Sequence, residues 1–146
     1  MTPLAYDGLI KYVKNRKEGI PAYIIVNTTT GETSLKRLDK KMHYVPSAYL
    51  NENLYRKLRF DYPFTIFGDP TFEIDEEGNP YYICTTYTYS GLHSLYRVNG
   101  VILFNPVDGS SQKYSIEDAP KWVDRIFPED LVTTELNDYG RYQKGF

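Results

Sequence analysis

Cysteine is almost absent from this chain of 146 residues, where Cys84 stands alone. One thiol forms no internal disulfide and no thiolate metal cluster. Within the apolar run Tyr81-Tyr82-Ile83-Cys84 it reads as a small buried hydrophobe rather than a nucleophile. Histidine is nearly as scarce: His43 and His93 are far apart, and neither belongs to an H-E-x-x-H or comparable metal spacing. Phosphate-cradling G-x-G-x-x-G and P-loop patterns are missing too. Asp75-Glu76-Glu77-Gly78 lacks the alternation and distal Glu of a calcium loop and reads as a solvated turn. A triad of Ser90 or Ser94 with His93 and Asp69 finds no nucleophile-elbow motif behind it. No catalytic residue, no cofactor-binding residue and no metal ligand is therefore expected. No run of about 18 apolar residues is present to span a bilayer, and Met1-Thr2-Pro3-Leu4 lacks the basic start and apolar stretch of a signal peptide.

Charge is nearly balanced overall, at −2, but divided along the chain. Residues 1–60 carry eleven Lys/Arg against five Asp/Glu, a net of +6, whereas residues 61–146 carry six against fourteen, a net of −8. Such asymmetry lets the two halves attract each other, or offers a face to an anionic surface. A pI near 5.7 and the lack of a recognised module speak against a nucleic-acid partner.

What the chain has in excess is tyrosine, fifteen of them, with seven phenylalanines. Tyr suits half-buried strand positions, so the composition points to a tyrosine-rich sheet face, with an adhesive or ligand-stacking surface as the alternative. The segment 24–35, IIVNTTTGETSL, is echoed 78 positions later (Asn27 to Asn105) by ILFNPVDGSSQK at 102–113. Each copy is an apolar β-forming run, an Asn, a short turn ending in Gly31 or Gly109, and a more polar run, which is the pattern of a hairpin. A repeated hairpin points to two similar α+β units.

In chain order, 3–17 reads as an amphipathic helix with Tyr6, Leu9, Ile10 and Val13 on its apolar face. Strands are expected at 22–27 and 32–38, with 39–44 a polar connection. A second helix begins at Pro46-Ser47 and carries a stripe of Leu50, Leu54 and Leu58 as far as about Asp61. Strands at 71–75 and 81–89 flank a tight turn, and 90–94 reads as a hairpin loop. Asn99-Gly100 precedes the repeated strand, expected at 101–105. Trp122, Val123 and Ile126 fall on one face of a short helix, with Trp122 largely buried, and Pro128-Glu129-Asp130 opens a last helix.

The repeated "apolar strand, Asn/Asp, x-x-x-Gly, polar strand" at Val26-Asn27…Gly31-Glu32 and Phe104-Asn105…Asp108-Gly109 resembles the closing hairpin of PepSY domains. Phe72-Glu73-Ile74-Asp75-Glu76-Glu77-Gly78-Asn79-Pro80-Tyr81-Tyr82 resembles their first hairpin. More widely, Glu18-Gly19-Ile20-Pro21, Leu58-Arg59-Phe60, Ala119-Pro120-Lys121-Trp122-Val123-Asp124 and Tyr139-Gly140-Arg141-Tyr142 resemble the soluble extracytoplasmic region of uncharacterised Firmicute membrane proteins. The resemblance implies small extracytoplasmic modules, each one helix on a three-stranded antiparallel sheet. PepSY modules have been proposed to inhibit or regulate peptidases, and no site residue carries over.

The resulting expectation is an α+β fold of two PepSY-like units with a C-terminal helix. The first helix-hairpin unit spans 1–45 and lacks a strand before its helix. The second helix-plus-sheet unit spans 46–118, and helices at 119–146 pack on it. The function expected is a non-catalytic interaction or regulatory module on the outer face of a bacterial membrane, tethered through sequence outside this fragment. The alternatives are a hydrolytic enzyme with an unrecognised cleft, or a cytoplasmic binding domain. A protein partner or self-association through an open sheet edge is expected, with Tyr81, Tyr82, Tyr87 and Tyr89 as the interaction surface.

Overall fold

The computed structural model describes residues 1–90 and 95–123; His93, Ser94, Ile126 and the expected last helix lie outside them. The fold is α+β, with two short helices and antiparallel sheets. Strand β1 (Thr2–Pro3) precedes helix α1 (Leu9–Asn15), and β2 (Ile20–Val26) and β3 (Thr33–Met42) complete a three-stranded sheet in the order β1-β2-β3. A 3-10 turn (Leu50–Glu52) and helix α2 (Leu54–Asp61) lead to β4 (Ile66–Phe67), β5 (Thr71–Ile74), β6 (Pro80–Ser90), β7 (Leu95–Phe104) and β8 (Ser111–Ser115). In this second sheet β6 and β7 are central, β8 lies beside β7, and β4 and β5 share the far edge of β6.

Several sequence expectations are corrected. A strand does precede the first helix: Thr2 and Pro3 pair with Ile24 and Tyr23. Pro3 has no N–H to give a helix and costs nothing at a sheet edge. The helix is accordingly shorter, and its buried residue is Tyr12, not the anticipated stripe; Leu9, Ile10 and Val13 are exposed. Tyr12 wins because its ring packs against Tyr6 and Tyr49 while its hydroxyl, with one proton to donate, lies within hydrogen-bond reach of Glu52 Oε2 (2.7 Å) and the Tyr49 carbonyl oxygen (2.9 Å). The polar stretch 39–42 is strand, not connection.

The second helix starts late. Asn53 accepts from the Arg56 N–H at 3.0 Å, capping α2, while its amide donates to the Pro46 and Ala48 carbonyls. That double role fixes the helix start at Leu54, so Leu54 and Leu58 are buried and Leu50, one turn earlier, is exposed at 64%. Asn99-Gly100 forms a bulge inside β7. Thr86 pairs with Gly100 and Tyr87 with Val98, leaving Asn99 as the extra residue, its side-chain oxygen accepting from Thr86 Oγ1 at 2.7 Å. Gly100 is required there by space: a Cβ would lie 2.2 Å from the Tyr114 carbonyl oxygen.

The main core gathers Tyr12, Ile20 and Met42 from the first segment with Leu54, Leu58, Phe72, Tyr82, Cys84, Ile102 and Phe104 from the second. Period-two alternation then gives the second sheet another buried face, where Ile83, Val101 and Leu103 meet Val123. The 119–123 segment covers that face as turns, with Val123 N–H donating to the Pro120 carbonyl. Val123 is the fully buried residue of this segment, and Trp122 beside it is partly buried, packed against the same face.

The repeated segments close hairpins with the same bonds. Asn27 N–H donates to the Glu32 carbonyl (2.9 Å) and Asn105 N–H to that of Ser110 (2.8 Å). Gly31 and Gly109 donate back to the carbonyls of Asn27 and Asn105, at φ of 73° and 78°. Each Asn side chain accepts from the N–H two residues on, at 2.9 Å. Asn and Gly recur because the first folds its side chain onto the turn and the second takes the left-handed conformation.

Candidate binding site

Two turns meet at one end of the second sheet, 105–110 between β7 and β8 and 75–79 between β5 and β6. Asp75 organises its own turn: one carboxylate oxygen accepts from the Glu77 and Asn79 N–H groups, the other from the Asn79 amide. Register does the rest. Leu103 faces Gln112 and Val101 faces Tyr114, so Gln112 and Tyr114 stand on the same face as Leu103. Ile83 opposite Leu103 sets Tyr81, two residues earlier, on that face as well.

These side chains and the returning 120–122 segment enclose an open cleft of about 290 Å³. Its lining includes Tyr81, Tyr114, Trp122, Leu103, Asp75, Asn105 and Gln112. Trp122 and Tyr81 are in contact, their ring centroids 5.5 Å apart with planes tilted by 44°. Burial pushes the Tyr81 phenol up, and Asp75, Asp108 and Glu77 add to the effect. Asp108 itself is held below the usual carboxylate range by the Ser110 hydroxyl and N–H, with Lys40 contributing. The Gln112 side chain and the Asn105 amide nitrogen make no hydrogen bond among the described residues.

Of the four tyrosines expected to form an interaction surface, the structure brings only Tyr81 to this cleft. Tyr82 points to the main core, 1% exposed, its hydroxyl buried with no partner among the described residues and its acidity suppressed by burial. Tyr87 lies against Gly68, and Tyr89 is exposed at 53%. Tyr81 and Tyr82 are parted by ordinary alternation along β6, which sends adjacent side chains to opposite faces of the sheet.

Other chemistry-bearing residues lie elsewhere. Cys84 is fully buried and its thiol is pushed up to about 12 by burial, with Asp69 adding. His43 Nδ1 lies 3.2 Å from the Arg16 carbonyl oxygen. Asp69 is beside Tyr55, whose phenol it raises after burial has done so. Gln112, Tyr114 and Asn105 were not anticipated at a site. The available signal was their parity: Gln112 and Tyr114 alternate in a five-residue strand following the Asn105 turn.

No protein-family model, curated protein or solved structure matches the chain. Among the described residues, no helix is long and apolar enough to cross a membrane, and no three His, Cys, Asp or Glu side chains converge as a metal site.

Proposed function

We propose that this chain is a non-catalytic interaction module, carried on the extracytoplasmic side of a bacterial membrane-associated protein. The observation that carries this reading is the make-up of the Tyr81–Trp122 cleft. Aromatic rings and uncharged hydrogen-bonding groups converge on it and are suited to holding a ligand in place, and the hydroxyl of Ser110 in the lining is engaged within its own turn, donating to Asp108 at 2.6 Å. Its carboxylate, Asp75, is committed to its own turn by three hydrogen bonds. The thiol nearest in sequence is buried and protonated at neutral pH.

A two-unit, PepSY-like organisation is part of the proposal. Its support is the shared bonding of the Asn27–Gly31 and Asn105–Gly109 turns, each following a strand of an antiparallel sheet. In this reading the first copy is a plain exposed hairpin and the second has been recruited into the cleft. A panel of peptidase, esterase and glycosidase substrates tests the non-catalytic claim. No turnover above background is expected, and robust turnover abolished by changing Asp69, Ser90 or His93 would overturn it. Accessibility of the full-length protein to protease added outside intact cells tests the setting.

A further inference from the structure

We propose that the Tyr81–Trp122 cleft is a carbohydrate site that takes one neutral pyranose ring. The proposal rests on reading the chain as a binding module and names the ligand class of that site.

A sugar ring has two kinds of surface, and the cleft has a counterpart to each. Its C–H face is apolar and favours aromatic side chains; Tyr81, Tyr114 and Trp122 provide three within one lining. Its hydroxyls both donate and accept, and planar amides satisfy that requirement in one side chain. Gln112 and Asn105 lie in the same lining, and each retains amide hydrogen-bonding capacity that the described residues do not use. At about 290 Å³ the space is at the small end for ligand pockets, suited to one ring, with an open side from which a longer chain would leave.

Charge narrows the class further. The Asp75 carboxylate lines the cleft itself and would repel an anionic ligand. Phosphorylated, sulfated and carboxylated sugars are therefore disfavoured. A quaternary ammonium would suit the aromatic rings and the acidic surroundings. Its ammonium head carries no hydrogen-bonding group, however, and would leave the Gln112 and Asn105 amides of the lining unused. The two amides decide for the neutral polyol.

Trp122 is the only tryptophan in the chain, so its emission reports the cleft alone. The protein is titrated into the millimolar range with methyl glucopyranoside, methyl galactopyranoside and N-acetylglucosamine, and in parallel with choline and inorganic phosphate. At least one neutral pyranose should shift the emission saturably, with phosphate silent. Gln112→Ala, at an exposed position where the fold is retained, should weaken that binding by about tenfold. Saturation by choline but by no pyranose overturns the proposal, as does a silent panel or a pyranose affinity unchanged by Gln112→Ala. The same samples, with methyl glycosides present, are followed by proton NMR for cleavage. Cleavage would overturn the module reading itself, whereas intact sugar without binding overturns only the ligand assignment.

Discussion

Trp122 and Tyr81 meet with ring centroids 5.5 Å apart across the boundary between the second sheet and the segment that returns over it. The contact ties the covering segment to β6 while Trp122 stays partly exposed. Next to it, Val123 is fully buried against Ile83, Val101 and Leu103. One residue anchors the segment and its neighbour remains available to a ligand. Val123→Ala should therefore destabilise the protein by about 1–3 kcal/mol, and Trp122→Ala by a comparable or smaller amount despite removing a far larger side chain. Urea denaturation of the two variants gives the comparison, and a Trp122→Ala loss well above that of Val123→Ala would show that the ring is structural.

The buried Tyr82 hydroxyl is a liability to the core. It has no partner among the described residues, and burial alone costs the polar atom its hydration. Tyr82→Phe is expected to stabilise the fold by about 1 kcal/mol, seen as a higher urea midpoint with an unchanged slope. A loss of stability would reveal a hydrogen bond to that hydroxyl.

The two matching turns make an internal control. Gly31 and Gly109 share their positive φ, but a Cβ at Gly31 meets nothing within 4 Å, whereas one at Gly109 would lie 2.6 Å from the Tyr44 ring. Gly31→Ala should cost about 1–2 kcal/mol, the price of the left-handed conformation alone. Gly109→Ala should cost more, by about a further 1–3 kcal/mol for the displaced ring. Equal costs would show that Tyr44 moves aside freely.

That pair also shows how far the sequence could be read. The hairpins were legible because their determinants are local: a side chain folding onto its own turn, a residue with no Cβ, and β-branched runs on either side. The α+β class followed from the same local signals. The stripe at Leu9, Ile10 and Val13 misled because periodicity reports an apolar face, not the presence of anything to cover it, and Tyr12 secured burial through distant Glu52 and Tyr49. Leu50 misled because Asn53, three residues on, sets the helix start by bonding back to the Pro46 and Ala48 carbonyls. In the cleft, Tyr81 stood out by composition. Gln112, Asn105 and Trp122 join it only through strand register and a returning segment, which are properties of pairing between remote residues.

Two carboxylates should respond to pH in opposite directions. The Ser110 hydroxyl and N–H lower the Asp108 pKa from an ordinary value of 3.8, so its contribution is complete above that value and is lost as pH falls through the lower folded one. Burial raises the Glu73 pKa above 4.5, the N-terminal ammonium opposing, so stability falls as pH rises from 4.5 through the raised folded value. Asp108→Asn should flatten the acid limb of the stability profile, and Glu73→Gln should remove the decline above pH 4.5. Profiles unchanged by either substitution would place both groups in ordinary solvent.

The central claim is that the cleft between the 75–79 and 105–110 turns is where this chain meets its ligand. Its most direct test is an amide and side-chain correlation spectrum of isotope-labelled protein during titration with a neutral pyranose. Progressive shifts of the Trp122 indole N–H and the Gln112 and Asn105 side-chain amides are expected, with the exposed Asn27–Gly31 turn unmoved. Shifts centred on that turn or on the β3 edge, with the Trp122 indole unmoved, would contradict it.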